Sequence, residues 1–306
     1  AGAMDPAALA IANALVGNPL ESAAIELAVF GAMLRAEGGA VRVALAGADM
    51  VLETDGTPVL PLTSVTLSDG QHLLIKPARA GVFAYLAVAG GFGGERDLGS
   101  LSHHARSGLG PKRLVAGDRI EVEGGAPAGP ERQLVGGMPP RPSGPIRVIL
   151  GPQDDYFTEA GIRTFLSEPY TISTEADRMG YRLTGPKIAH GKGFNIVSDA
   201  IVTGAIQVPG SGEPIVLMTD RQTTGGYPKI AVVTRADLPR LAQMRPGSVV
   251  RFAVVTRAEA IELLKAEARR LDTTLRQIGA AGANLLASER LLGLNLAGEA
   301  TGPDHA

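Results

Sequence analysis

Between Ile25 and Ile120 the chain never sustains a helical apolar pattern. Short β-type runs such as Val41–Leu45, Met50–Glu53, Leu73–Lys76 and Phe83–Val88 follow one another, with turn signals at Asp55-Gly56 and Asp69-Gly70. That texture points to a barrel or sandwich rather than alternating βα units. The 40 Gly and 21 Pro among 306 residues supply the tight turns that so many short strands require. A second strand-rich block opens at Ile146–Leu150. Between the two blocks, Gly124–Pro130 and Pro139-Pro140-Arg141-Pro142 read as a linker.

Helices are few. Asp5 is placed as an N-cap, Pro6 suits the first helical position and Gly17 marks a stop. Asp154–Phe165, Ala236–Gln243 and Ala258–Arg276 read as further helices, and Gly298–Ala306 as a frayed end. Leu114–Val122 echoes Met244–Phe252, each a Gly turn feeding an alternating run. Either a duplicated barrel or the habit of β proteins to place Gly before strands accounts for it.

Composition narrows the function classes. A formal charge of -2, 4% aromatic residues and no Trp argue against nucleic-acid binding, which needs a basic surface or stacking platforms. Without Cys there are no disulfides, thiol nucleophiles or Cys-based zinc sites. No apolar run is long enough to span a bilayer, so the chain reads as a soluble, cytoplasmic protein. No phosphate loop, nucleophile elbow or zinc-protease helix occurs. Gly90-Gly91-Phe92-Gly93-Gly94 lacks a following helix and reads as a barrel turn. His103-His104 reads as a solvated loop, since neighbours on a strand face opposite ways.

Two polar runs could carry chemistry, Glu175–Leu183 and Thr219–Ile230. The second lies between apolar strands and is too long for a plain hairpin. It is either an internally salt-bridged loop or a site for a small polar substrate.

The same runs carry a resemblance. Ala205-Ile206-Gln207-Val208-Pro209-Gly210, Gly212–Ile215, Asp220–Ile230, Ser173, Asp177–Leu183 and Gly185-Pro186 resemble motifs of the allophanate hydrolase subunit 2 family, also called the biotin-dependent carboxyltransferase family. Tyr85–Phe92, Gly2–Asp5, Ala12-Asn13, Val16–Pro19 and Glu26 resemble its N-terminal half. The resemblance covers the chain to about Phe252. It implies a mainly β fold of two cyclophilin-like β-barrel domains with a few short helices and a C-terminal helix. The expected division is 1–143, 144–256 and 257–306. Family members carry a further N-terminal strand, so a first strand is expected to be missing here. Leu101–His104 also departs from the family's Ser-Thr-Asp-like run.

The function implied is a subunit of an ATP-dependent 5-oxoprolinase, a hydrolase opening a cyclic amide to L-glutamate together with A and B subunits. ATP is expected to be bound by or with the partner subunit. Carboxyl transfer from biotin carried on another protein is the alternative, and a regulatory protein antagonising a kinase inhibitor is a third reading. Asp220, Arg178 and Lys229 are the candidate catalytic residues. Asp177, Tyr181, Arg221, Gln222, Thr223, Thr224 and Tyr227 are the candidate substrate-binding residues, and no metal is expected. Asp177–Arg182 and Asp220–Lys229 are expected to meet at one concave site with Arg178 and Lys229 directed into it.

Overall fold

The computed structural model of the chain describes residues 2–104, 106–124 and 128–282. The reading of Gly298–Ala306 lies outside them. Helix α1 spans Pro6–Val16, with the Asp5 carboxylate accepting from Ala8 N at 3.3 Å and Gly17 closing it at φ 83°. Ala8, Ile11, Ala12 and Leu15 are fully buried on its inner face. Burying Ile11 and Leu15 stabilises the fold by about 1.5–3 kcal/mol each.

The first unit holds β1 (Ile25–Ala28), β2 (Ala32–Arg35), β3 (Val41–Asp49), β4 (Leu52–Thr54), β5 (Thr57–Val59), β6 (Val65–Leu67), β7 (His72–Ile75) and β8 (Ala80–Val88). They form two four-stranded sheets, ordered β1-β8-β3-β6 and β2-β7-β4-β5, around a core that includes Leu27, Val43, Leu45, Leu52, Leu73 and Leu86. In β3 and β8 the alternate residues face the other way. Ala44, Ala46, Phe83, Tyr85 and Ala87 belong to a second core, shared with α1 and the second unit. Small side chains at 44, 46 and 87 let the helix approach the sheet closely.

Described parts of the expected linker are pinned rather than free. Within it β9 (Arg132–Leu134) pairs with the strand after the last helix, and the buried Arg42 donates to Gly129 O at 2.8 Å and Pro130 O at 3.0 Å. Gly90, at φ 87°, closes the turn after β8. A Cβ there would lie 1.7 Å from Glu123 O, so close backbone approach requires that glycine.

The second unit holds β10 (Ile146–Leu150), β11 (Tyr170–Ile172), β12 (Gly180–Thr184), β13 (Asp199–Ala200), β14 (Ala205–Gln207), β15 (Ile215–Leu217), β16 (Thr224–Gly225), β17 (Lys229–Val233), β18 (Val249–Val250) and β19 (Phe252–Val254). Eight of them form one sheet, ordered β18-β11-β12-β15-β14-β17-β10-β19. The two end strands follow each other in the chain with only Arg251 between, so the sheet curls into a nearly closed barrel. Strands β13 and β16 form a separate two-stranded ribbon. Of the echoing segments, both glycines adopt positive φ, Gly117 at 94° and Gly247 at 86°, but only the second leads into a strand pair.

The expected helix Asp154–Phe165 is two pieces. A 3-10 turn at Asp154–Tyr156 ends at extended Phe157, which bridges His190. Thr158 then caps α2 (Glu159–Ser167) by accepting from Gly161 N at 2.9 Å. Helix α3 is Leu238–Ala242, and α4 is Arg257–Leu275, opened by a capping box between Thr256 and Glu259. β20 (Ile278–Ala280) follows and pairs with β9.

The units meet through buried polar side chains. Gln243 receives Val82 N and Phe83 N on Oε1, at 2.8 and 3.0 Å, and donates to Phe83 O and Asp5 Oδ2, both at 2.8 Å. Arg245 donates to Gly81 O and Ala78 O. Each of these seam contacts pairs a donor with an acceptor, which is what keeps their burial from being costly.

Candidate functional site

Arg178 sits just before β12, where Asp220 N donates to its carbonyl at 2.8 Å. Its guanidinium meets Asp220 in a fork, Nε to Oδ2 at 2.8 Å and Nη2 to Oδ1 at 2.9 Å. It also bonds Glu26 of β1 and donates to Gly2 O at 2.8 Å. Glu26 in turn accepts from Tyr85 Oη at 2.7 Å and from Met4 N at 3.2 Å. Burial alone would lower the Arg178 pKa. The Asp220 hydrogen bonds and the Glu26 charge outweigh it and raise the group above its ordinary value. The structure therefore joins Arg178 and Asp220, as an ion-pair strap across the seam between the units.

Lys229 begins β17. Register places it opposite Gln207, Gln207 opposite Ile215, and Ile215 opposite Arg182. Lys229 thus shares a cross-sheet row with Arg182, four residues beyond Arg178. Arg178 itself lies in the turn before β12, where Asp177 N donates to Gly180 O at 3.2 Å, and the two cations meet different aspartates. The expected single site containing both is not formed. The Lys229 side chain is 3% exposed, and its Nζ meets Asp199 Oδ2 at 2.8 Å. Asp199 lies in the ribbon, where Ala200 N donates to its Oδ1 at 2.8 Å and Gln153 Nε2 to its Oδ2 at 3.3 Å. The hydrogen bond from Lys229, then that from Ala200, hold the Asp199 carboxyl below its ordinary range. Gly151 is needed beneath this cluster, because a Cβ there would lie 2.2 Å from Lys229 O.

The remaining candidates divide. Tyr181 points into the core and donates its hydroxyl hydrogen to Ala242 O at 2.8 Å; burial raises its pKa, so it does not face a ligand. The Asp177 carboxylate folds back onto Met179 N and Gly180 N in a local turn. Arg221 ties the loop to Ile201 O at 3.2 Å, and Thr223 O accepts from Ile201 N at 3.0 Å. Thr224 stands opposite Ala200 in the ribbon. Gln222 accepts from Arg106 of the first unit at 3.4 Å, and Tyr227 is exposed, its carbonyl accepting from Gln207. Sequence reasoning missed Asp199, Gln153, Glu26 and Arg106 as members of these clusters. Asp199 lies thirty residues before its partner and outside the quoted motifs, so only strand pairing reveals it.

His103 Nδ1 lies 2.8 Å from Pro111 O and His104 Nδ1 2.7 Å from Ser107 Oγ, so the two rings turn to different partners. Among the described residues no group of three His, Asp or Glu side chains is placed to hold a metal ion. A cavity of about 360 Å³ lies beside the C-terminus of α1 and another of about 240 Å³ beside Arg182; neither is lined by Arg178 or Lys229. No helix among the described residues is long and apolar enough to cross a membrane.

Comparison with known proteins adds to this geometry. A model of the carboxyltransferase domain, subdomains A and B, matches residues 1–254. The chain is 34% identical over 268 residues to the C component of 5-oxoprolinase from Escherichia coli (strain K12), covering 85% of this chain and 84% of that protein. It is 32% identical over 269 residues to a putative urea carboxylase of Emericella nidulans, covering 82% of this chain but 22% of that one. The crystal structure of TTHA0988 superposes with a TM-score of 0.73 at 35% identity, over 82% of this chain and 49% of the other. The chain thus spans about half the length of that structure.

Proposed function

We propose, from the premise that the chain belongs to the carboxyltransferase domain family of subdomains A and B, that it is the C-type component of an ATP-dependent 5-oxoprolinase. In this reading it opens 5-oxo-L-proline to L-glutamate together with A and B subunits. One observation carries the choice. The chain is 34% identical to the 5-oxoprolinase component over 268 residues and 32% identical to the carboxylase relative over 269, so the likeness leans to the former.

An unstrained lactam is a poor electrophile, and ATP supplies the activation when bound in the complex. The residues around Lys229 do not fit a nucleotide by themselves, since one ammonium does not match a triphosphate. The nucleotide is therefore assigned to the partner subunits. This chain's contribution is a buried ammonium beneath the β13–β16 ribbon, with one carboxylate partner among the described residues, able to hold negative charge on a small amide substrate. Arg178 and Asp220 hold the two units in register behind it.

The test is co-expression with A and B subunits and measurement of ATP hydrolysis dependent on 5-oxo-L-proline, with L-glutamate as product. Equal amounts of ADP and glutamate are expected. Activity that instead requires a biotinylated protein, bicarbonate and urea would replace this reading by carboxyl transfer, which the carboxylase relative favours.

A further inference from the structure

Asp199 and Lys229 form an unequal pair. The lysine is 3% exposed, whereas the aspartate is 49% exposed. An ammonium carries three N–H donors, and among the described residues Asp199 Oδ2 is the one side-chain acceptor that meets it. A buried ammonium is costly to leave short of acceptors. The aspartate, by contrast, is carried on a ribbon of two two-residue strands, held by the pairs Asp199↔Gly225 and Ala200↔Thr224, by Ile201 N on Thr223 O and Ile196 N on Gly226 O, by Arg221 on Ile201 O, and by Ile201 packed against Ala205 and Leu217.

The side-chain donors converging on the Asp199 carboxylate are the Lys229 ammonium and the Gln153 carboxamide. They come from the barrel wall and the turn after β10, not from the ribbon. Such a set suits any small carboxylate. It cannot hold two, because like charges on one ammonium repel.

We propose that Asp199 stands in for a substrate carboxylate: Lys229 and Gln153 form a site for the carboxylate of a small anionic amide, and the ribbon lifts Asp199 away as that carboxylate takes its place. The exchange leaves the charge beside the Lys229 ammonium unchanged, and Asp199 needs to move only far enough to release Lys229 while Ile201 stays anchored. It also lowers the apparent affinity for substrate by the fraction of time Asp199 occupies the site. The inference rests on the reading of Lys229 as a substrate-binding residue.

Calorimetric titration of the full chain tests it without turnover. The probes are 5-oxo-L-proline, cyclopentanecarboxylate, which keeps the carboxylate without the lactam, and 2-pyrrolidinone, which keeps the lactam without the carboxylate. Asp199→Asn, nearly isosteric and half exposed, should bind both carboxylates roughly 5-fold more tightly than the unaltered chain. Binding of 2-pyrrolidinone should not change. Gln153→Ala in the Asp199→Asn background should weaken both carboxylates again. Unchanged or weaker carboxylate binding by Asp199→Asn, or no binding at all by that variant, would overturn the proposal. Tightened carboxylate binding without 5-oxoproline-dependent ATP hydrolysis in the assembled complex would remove the oxoprolinase reading and leave this one standing.

Discussion

Arg178 and Lys229 are both cations met by an aspartate, yet their surroundings give them opposite duties. Arg178 lies in the seam between the units, with two carboxylates and a carbonyl around its planar fork. Lys229 lies at the other end of the barrel strands, with one exposed carboxylate on a short ribbon. A guanidinium with its donors spoken for can hold a structure together but has little left for a ligand. A buried ammonium with one replaceable partner can take a ligand, provided that the ligand supplies the acceptor that the partner gives up.

The largest effect that could break this contrast is at the seam. Arg178→Ala leaves Glu26 and Asp220 without their cation, and should lower stability by about 3 kcal/mol or more in chemical denaturation. A variant that stays fully stable and loses turnover would show Arg178 to be a substrate residue after all. Next, Lys229→Met should reduce kcat/KM of the assembled complex by about 10²-fold or more, with the denaturation midpoint nearly unmoved. Loss of folding instead would make Lys229 structural and erase the distinction. Tyr181→Phe sharpens the comparison from a third position. Removing the bond to Ala242 O should cost about 1 kcal/mol of stability and leave turnover of the folded fraction unchanged.

The smallest effect is in acid. The Asp199 carboxyl is held below its unfolded value, so its contribution is present above the unfolded pKa and is lost as pH falls through the lower, folded one. Asp199→Asn should therefore flatten the pH dependence of stability slightly below about pH 4 and nowhere else. A change near neutrality would point to another group.

What is legible in sequence follows the range of the interaction. Helix α1 is visible with its cap, proline and closing glycine because all three act within one turn of it. Strand β10 is likewise legible as a bounded apolar run, Ile146–Leu150. The family motifs mark the right segments but not their geometry. Tyr181 falls among the polar candidates, although alternation along β12 already sets Tyr181 and Leu183 inward and Arg182 outward. The pairing of β20 with β9 and of Asp199 with Lys229 depends on distant partners that no local pattern records. The expected union of Arg178 with Lys229 fails for the same reason: two polar runs in one domain say nothing about which end of a strand each reaches.

Strands β3 and β8 form one wall of two cores at once, with Val43, Leu45 and Leu86 on one side and Ala44, Ala46 and Tyr85 on the other. Two bodies built this way cannot melt in sequence. Loosening the first unit strips the cover from α1 and the shared core, and loosening the second exposes the outer face of the same two strands. Heat should therefore take the chain apart in one cooperative transition, with calorimetric and van't Hoff enthalpies in agreement, although its sheets look like two separable halves.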